Sequence, residues 1–141
     1  MMAMTMHVDI VGAEAQIYTG RATMVFAPGS VGELGIAPRH TQLIATLKAG
    51  TVRVIEDGGA EHYVYVNGGI LEVQPNTVTV LADNAARGSD LNEAAAEAAR
   101  VRAEQALADR KDDVDYAHVQ AELLEAIAQL ETLKKMRRHV K

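Results

Sequence analysis

The stretch Ala85-Ala-Arg-Gly-Ser-Asp-Leu-Asn-Glu-Ala-Ala-Ala-Glu97 divides the chain into two physically different halves. All 11 glycines and all 3 prolines of the 141-residue chain lie at or before Gly88. The 53 residues beyond it are rich in Ala, Glu, Leu, Lys and Arg. Glycine and proline punctuate turns, whereas a long run of good helix formers without them favours uninterrupted helix. Charge divides the same way, with 13 Asp, Glu, Lys and Arg residues up to Gly88 and 20 after it. A sparingly charged, turn-rich block is therefore followed by helices with broad solvated faces.

Working back from the break, short alternating runs dominate. Met4, Met6, Val8 and Ile10 occupy every second position, which places them on one face of a strand. Ala22, Met24 and Phe26 repeat the pattern, as do Val52 and Val54, Leu71 and Val73, and Val78, Val80 and Ala82. Pro28-Gly29, Asp57-Gly58-Gly59, Asn67-Gly68-Gly69 and Pro75-Asn76 supply turn signals between them. Short strands at this spacing predict an antiparallel β-sandwich or flattened barrel over residues 1–88.

Working forward, Asp90 with Glu93 resembles an N-cap and its reciprocal carboxylate, opening a helix that runs to about Ala108. Asp109 to Asp113 forms a charged connection, and Asp113 or Asp115 is placed to cap a second helix. In that helix Tyr116, Val119, Leu123, Ala126, Leu130 and Leu133 form one apolar seam, flanked by Ile127. From Asp115 to Arg138 it would be about 36 Å long. The first helix offers mainly alanine, with Leu91, Val101 and Leu107. The fold class is thus α+β, a sandwich followed by a two-helix antiparallel hairpin over residues 89–141. Such a hairpin docks with about several kcal/mol at most, a range in which a partner can induce a second conformation.

Bulk properties exclude several functions. A composition of 48% hydrophobic and 23% charged residues suits a folded chain. No apolar run approaches the roughly 20 residues needed to cross a bilayer, and no secretory signal is expected at Met1 to Asp9. The net charge of −5 does not suggest a nucleic-acid surface, and the absence of cysteine removes thiolate sites. Gly29-Ser-Val-Gly-Glu-Leu-Gly35 lacks the Gly-Lys-Ser/Thr ending of a phosphate loop. Glu33 with His40 as an acid–base pair, or His7, His40 and His62 as metal ligands, is less favoured than solvent-facing histidines. No catalytic residue, metal or cofactor is expected. Five Lys and Arg residues in the last eight, including Lys134, Lys135, Arg137 and Arg138, exceed what the helix dipole needs and suit an acidic partner surface.

Five segments resemble one family. They are Gly32-Glu-Leu-Gly-Ile-Ala-Pro-Arg-His40, Asn67-Gly-Gly-Ile-Leu-Glu-Val-Gln-Pro75, Val78-Thr-Val-Leu-Ala-Asp83, Ala106 to Tyr116 with its Val-Asp-Tyr-Ala, and Ala126-Ile-Ala-Gln-Leu130. In order and over almost the whole chain, they are similar to the epsilon subunits of bacterial F-type ATP synthases. The resemblance implies a non-catalytic rotor subunit in the central stalk of a proton-translocating enzyme. Such a subunit is peripheral to the cytoplasmic face of the bacterial inner membrane. Its sandwich would bind the gamma subunit and the c-ring, with Glu33, Leu34, Gly35 and His40 at that interface. Its helices would extend toward the catalytic alpha and beta subunits and inhibit ATP hydrolysis, with Lys134, Lys135, Arg137 and Arg138 meeting an acidic beta-subunit loop. Family members whose hairpin binds ATP carry Ile or Leu, then Asp, two residues, then Arg. Here that stretch is Leu91-Asn92-Glu93-Ala94-Ala95, lacking both the carboxylate and the guanidinium. The alternative, an ATP-sensing module set by bound nucleotide, is accordingly disfavoured.

Overall fold

The computed structural model describes residues 4–109 and 113–140. Seven strands come first: β1 (Met6–Val11), β2 (Gln16–Gly29), β3 (Gly32–Ile36), β4 (Leu43–Glu56), β5 (Glu61–Gln74), β6 (Thr77–Ala82) and β7 (Ala85–Arg87). A short 3-10 turn (Gly88–Asp90) leads into α1 (Glu93–Ala108) and α2 (Asp113–Val140). The strand order is β1-β6-β5-β4-β2-β3, and an additional β1–β2 pairing closes the sheet on itself. β7 pairs with β5. All pairs are antiparallel except β1 with β6, which run parallel. Closure leaves few unpaired backbone groups at strand edges.

Alternation translates directly into burial in four strands. Met6, Val8 and Ile10 of β1, Val52 and Val54 of β4, Leu71 and Val73 of β5, and Val78 and Val80 of β6 are all essentially inaccessible. Met4, expected on the same face, precedes β1 and is exposed. The β2 pattern also differs from expectation. Ala22 pairs with Glu56 but Met24 pairs with Ile55, so a register irregularity intervenes. One extra residue reverses inside and outside. Val25 and Ala27 therefore enter the core, while Met24 and Phe26 lie against Gly35 of β3 on the other face.

Asn67-Gly68-Gly69, expected as a turn between strands, instead lies inside continuous β5. Here β4 and β5 bend together. The buried set changes from even positions (Val64, Val66) to odd ones (Leu71, Val73) in β5, and Leu47 gives way to Val52 and Val54 in β4. Gly68 and Gly69 adopt φ of +81° and +134°. A Cβ on Gly69 would stand 2.2 Å from the Leu81 carbonyl oxygen. The glycines thus bend a paired strand without breaking it.

The helices form a hairpin as predicted, but α1 opens differently. Asp90 belongs to the 3-10 turn, and the N-cap is Asn92, whose side chain accepts from the Ala95 N–H at 3.0 Å. The expected reciprocal carboxylate Glu93 pairs instead with Arg137 at the far end of α2. Residues 110–112, within the predicted connection, and the side chains of Asp113 and Asp115, the predicted caps, lie outside those described. α2 packs on β4 and β5 on one side and on α1 on the other. The buried residues of the helices are mostly small, Ala96 and Ala103 from α1 with Ala126, Ala128 and Thr132 from α2, joined by the larger Leu133.

Two glycine substitutions separate strain from collision. Gly58 has positive φ but open space around it, whereas Gly69 has positive φ and a carbonyl in the way. Gly58→Ala should cost only the left-handed backbone penalty of about 1–2 kcal/mol. Gly69→Ala should cost measurably more by urea denaturation, and equal losses would contradict the bend geometry.

Candidate functional site

Three features meet where the helices cover the sandwich. Thr51 of β4 and Thr132 of α2 stand with hydroxyl oxygens 2.6 Å apart. Both are buried. At the module boundary, Gly88 sits so close to α2 that a Cβ would lie 3.0 Å from Met136 Sδ and 3.1 Å from the Tyr63 carbonyl oxygen. Beside them Tyr63 and Tyr65 of β5 are buried on the helix-facing side while Val64 and Val66 are buried in the core. Burial, reinforced by Glu125, pushes the Tyr65 hydroxyl far above its ordinary ionisation range.

A cleft of about 390 Å³ flanks this contact, lined by Phe26, Glu33, Arg53, Glu61, Lys135 and Arg138 among others. The Arg53 guanidinium lies 4.4 Å above the centre of the Phe26 ring, a cation–π contact. Its Nε is 3.5 Å from Glu61 Oε1. The cleft is a mixed-charge seam between sandwich and helix, with acidic groups on β3 and β5 opposite basic groups on α2. A second cleft beside it is lined by Glu33, Lys48, Leu124, Ile127, Glu131 and Lys135 among others.

The structure divides the predicted site residues. Glu33 is exposed on β3 and shares the first cleft with Lys135 and Arg138. Leu34 is partly buried against the core, and Gly35 is exposed beside Met24 and Phe26. His40 lies in the following loop, its Nδ1 2.7 Å from the Thr41 carbonyl oxygen. That loop is pinned by Arg39, which has φ of 67° and donates its N–H to the Pro75 carbonyl. Among the described residues no hydrogen bond or ion pair joins Glu33 to His40. His7 pairs with Asp9 at 3.0 Å and His62 with Glu56 at 2.8 Å, and no cluster able to hold a metal occurs among the described residues.

The basic end points three ways. Lys134 is exposed, Arg137 pairs with Glu93 of α1, and Lys135 and Arg138 enter the cleft. At the start of α1, Leu91 is half-buried and donates its N–H to Gly88. Asn92 spends its side-chain oxygen on the cap to Ala95. Thr51, Thr132 and the contact role of Gly88 were not legible as site residues. The only signal was a β-branched polar residue four positions after Ala128 in a helix.

The comparisons with known proteins match this architecture. The β-sandwich domain model of the ATP synthase delta/epsilon chain matches residues 5–88. The long α-helix domain model of the same chain matches residues 89–134. An ATP synthase epsilon chain of Thioalkalivibrio sulfidiphilus is 60% identical, covering 99% of this chain and 100% of the relative. That of Nitrosococcus oceani is 58% identical, covering 97% and 98%. In fold, the chain resembles one in a cryo-EM structure of the Euglena gracilis mitochondrial ATP synthase, with a TM-score of 0.82 at 16% identity over 92% of this chain and 81% of that one. A chain of the Tetrahymena thermophila mitochondrial central stalk and c-ring gives 0.60 at 12% identity over 94% and 99%. Among the described residues no helix is long and apolar enough to cross a membrane.

Two outcomes test the geometry. Asn92→Ala should destabilise α1 by about 1 kcal/mol and Asn92→Asp by only a few tenths, read as amide exchange in α1. Equal exchange in all three proteins would remove the cap from the account. Glu56 is held below the ordinary carboxylate range, first by its hydrogen bond to His62 and further by one from Tyr18. Its contribution is full above the unfolded value of about 4.3 and is lost as pH falls through the depressed folded value. Glu56→Gln should therefore flatten the acid limb of the stability curve, and an unchanged limb would contradict this. With two family domains end to end and relatives more than half identical over nearly its full length, the chain belongs to the ATP synthase delta/epsilon family.

Proposed function

We infer that this chain is a non-catalytic rotor subunit that couples rotation of gamma and a c-ring to ATP synthesis in a proton-translocating F-type enzyme. Its hairpin restrains ATP hydrolysis when it leaves the sandwich. The observation that carries this reading is the contrast between the two contacts of the chain. The sandwich is closed and filled with large apolar side chains, which suits a body that transmits torque. The hairpin rests on alanines, Leu133, the two tyrosines of β5, one threonine pair and a charged cleft, a contact with few large side chains, which suits a part that can leave.

Glu33, Leu34, Gly35 and His40 are the residues proposed to meet gamma and the ring. Ile44, Ile70 and Leu81 are exposed apolar residues on β4, β5 and β6, with Ile70 and Leu81 directly paired. They offer a further contact of the kind that marks protein interfaces. The basic groups Lys134, Lys135, Arg137 and Arg138 are proposed to meet an acidic loop of the beta subunits, reaching between alpha and beta. In this reading the protein is peripheral, on the cytoplasmic face of the bacterial inner membrane. Residues 1–88 then act as the gamma- and ring-binding domain and residues 89–141 as the regulatory one.

Ending the chain after Gly88 should raise ATP hydrolysis by the assembled complex severalfold while leaving rotation coupled to synthesis. Unchanged hydrolysis would remove the brake from the proposal, and lost assembly would remove the independent sandwich.

A nucleotide-sensing hairpin is the second reading, and Asn92 and Ala95 weigh against it. Asn92 supplies a cap rather than a carboxylate, and Ala95 has no guanidinium for a phosphate. Loss of a charged hydrogen-bond partner costs roughly 1.5–3 kcal/mol. Calorimetry on the free chain should therefore find ATP binding absent or weaker than about millimolar, and micromolar binding would reinstate the second reading.

A further inference from the structure

Among the described residues, the buried threonine hydroxyls are those of Thr51, 6% exposed, and Thr132, 0% exposed. They belong to different modules, 81 positions apart, and are bonded to each other. Buried polar groups in an apolar contact persist only when paired. The pairing also has a direction. Thr132 donates its single hydroxyl proton to the Ala128 carbonyl, one helical turn back, at 3.0 Å. Both bonds form together only when the Thr132 oxygen accepts in the 2.6 Å contact and Thr51 donates. The two bonds form a chain from the Thr51 hydroxyl through the Thr132 hydroxyl to the Ala128 carbonyl.

We propose that this chain of hydroxyls is a latch that fixes the position of α2 on the sheet and sets the balance between docked and released hairpin. Around it the contact of α2 with the sheet adds another buried polar group, the Tyr65 hydroxyl beside Glu125. Apart from Leu133, the buried residues Ala126 and Ala128 of α2 are small and unbranched, and a helix surfaced with such residues slides at low cost. A one-residue slip or a rotation of α2 would leave the Thr51 proton buried without an acceptor. Release, by contrast, gives both hydroxyls to water. The latch therefore penalises misdocked states more than released ones, so the hairpin is either correctly seated or free. Its use as part of a brake rests on the function proposed above, but the latch itself belongs to the free chain, so either can fail alone.

The direction of the bonds predicts an asymmetry. In Thr51→Val the Thr132 hydroxyl still donates to Ala128, and docking loses one bond with no stranded donor. In Thr132→Val the Thr51 proton has no acceptor, which is the costly case. In the double variant both hydroxyls are gone, a change that is close to neutral when shape is kept. Thr132→Ser keeps the hydroxyl and serves as the control.

The chain has no cysteine, so Ala128→Cys, at a buried position under the hairpin, provides one thiol whose modification rate follows the released fraction. On that background Thr132→Val should speed modification about five- to a hundredfold. Thr51→Val, Thr132→Ser and the double valine variant should each stay within about threefold. A double variant as fast as the product of the two single effects would overturn the latch, as would equal effects of the two single valines. An unchanged rate in Thr132→Val would overturn it as well. Circular dichroism of each variant reports the sandwich separately, so a folding defect registers as lost strand signal rather than as release.

Discussion

Residues 63–66 of β5 are buried on both faces, and the rest of the architecture follows from that constraint. A strand at the surface of a sandwich normally shows one face to the core and one to water. Here Val64 and Val66 face the core while Tyr63 and Tyr65 require a cover, and α2 supplies it. The cover must lie along β4 and β5, which places Thr132 over Thr51 and Met136 over Gly88. A glycine at 88 is what lets the helix approach so near the chain's own crossing point. Among the described residues α1 packs mainly on α2, and its alanines bring the two helices close while burying little area.

The same geometry explains why the charges on α2 are not a uniform basic patch. Lys135 and Arg138 line the cleft with Glu33 and Glu61, and Arg137 holds Glu93 at the opening of α1. An exposed pair such as Arg137 with Glu93 contributes little stability, but it occupies that guanidinium while the hairpin is seated. In the proposed function, seating and engagement of an acidic partner would draw on the same basic end, and rising salt would weaken both. Glu33 stands at the junction: it is proposed to face the ring, and it lines the cleft beneath α2.

Much of this was legible in the chain. The loss of Gly and Pro after Gly88 coincides with the change from strands to helices, and alternation in β1, β4, β5 and β6 named the core correctly. The seam from Tyr116 to Leu133 gave the hairpin. The misses share a cause, namely tertiary pairing overriding a local pattern. In β2 one irregularity in register exchanged Met24 and Phe26 for Val25 and Ala27. At Asn67-Gly68-Gly69 a strong turn signal was used to bend a strand already paired on both sides. Asp90 gave way to Asn92 as the cap because the 3-10 turn at Gly88 carries the chain two residues further before α1 begins. The threonine pair had only a local signal, Thr132 four positions after Ala128, and no sign of its partner, since two threonines 81 positions apart meet only once the fold exists.

The central claim is that a rigid sandwich transmits torque while a lightly seated hairpin controls hydrolysis. The threonine pair offers the most direct test, because its oxygens lie 2.6 Å apart and the chain contains no competing thiol. With cysteine at both positions in the assembled complex, oxidation fixes the hairpin on the sandwich and reduction frees it. The account predicts that ATP hydrolysis rises to the level of the chain ended after Gly88 on oxidation and returns to its restrained level on reduction. Hydrolysis that stays equally restrained with the hairpin locked down would contradict it.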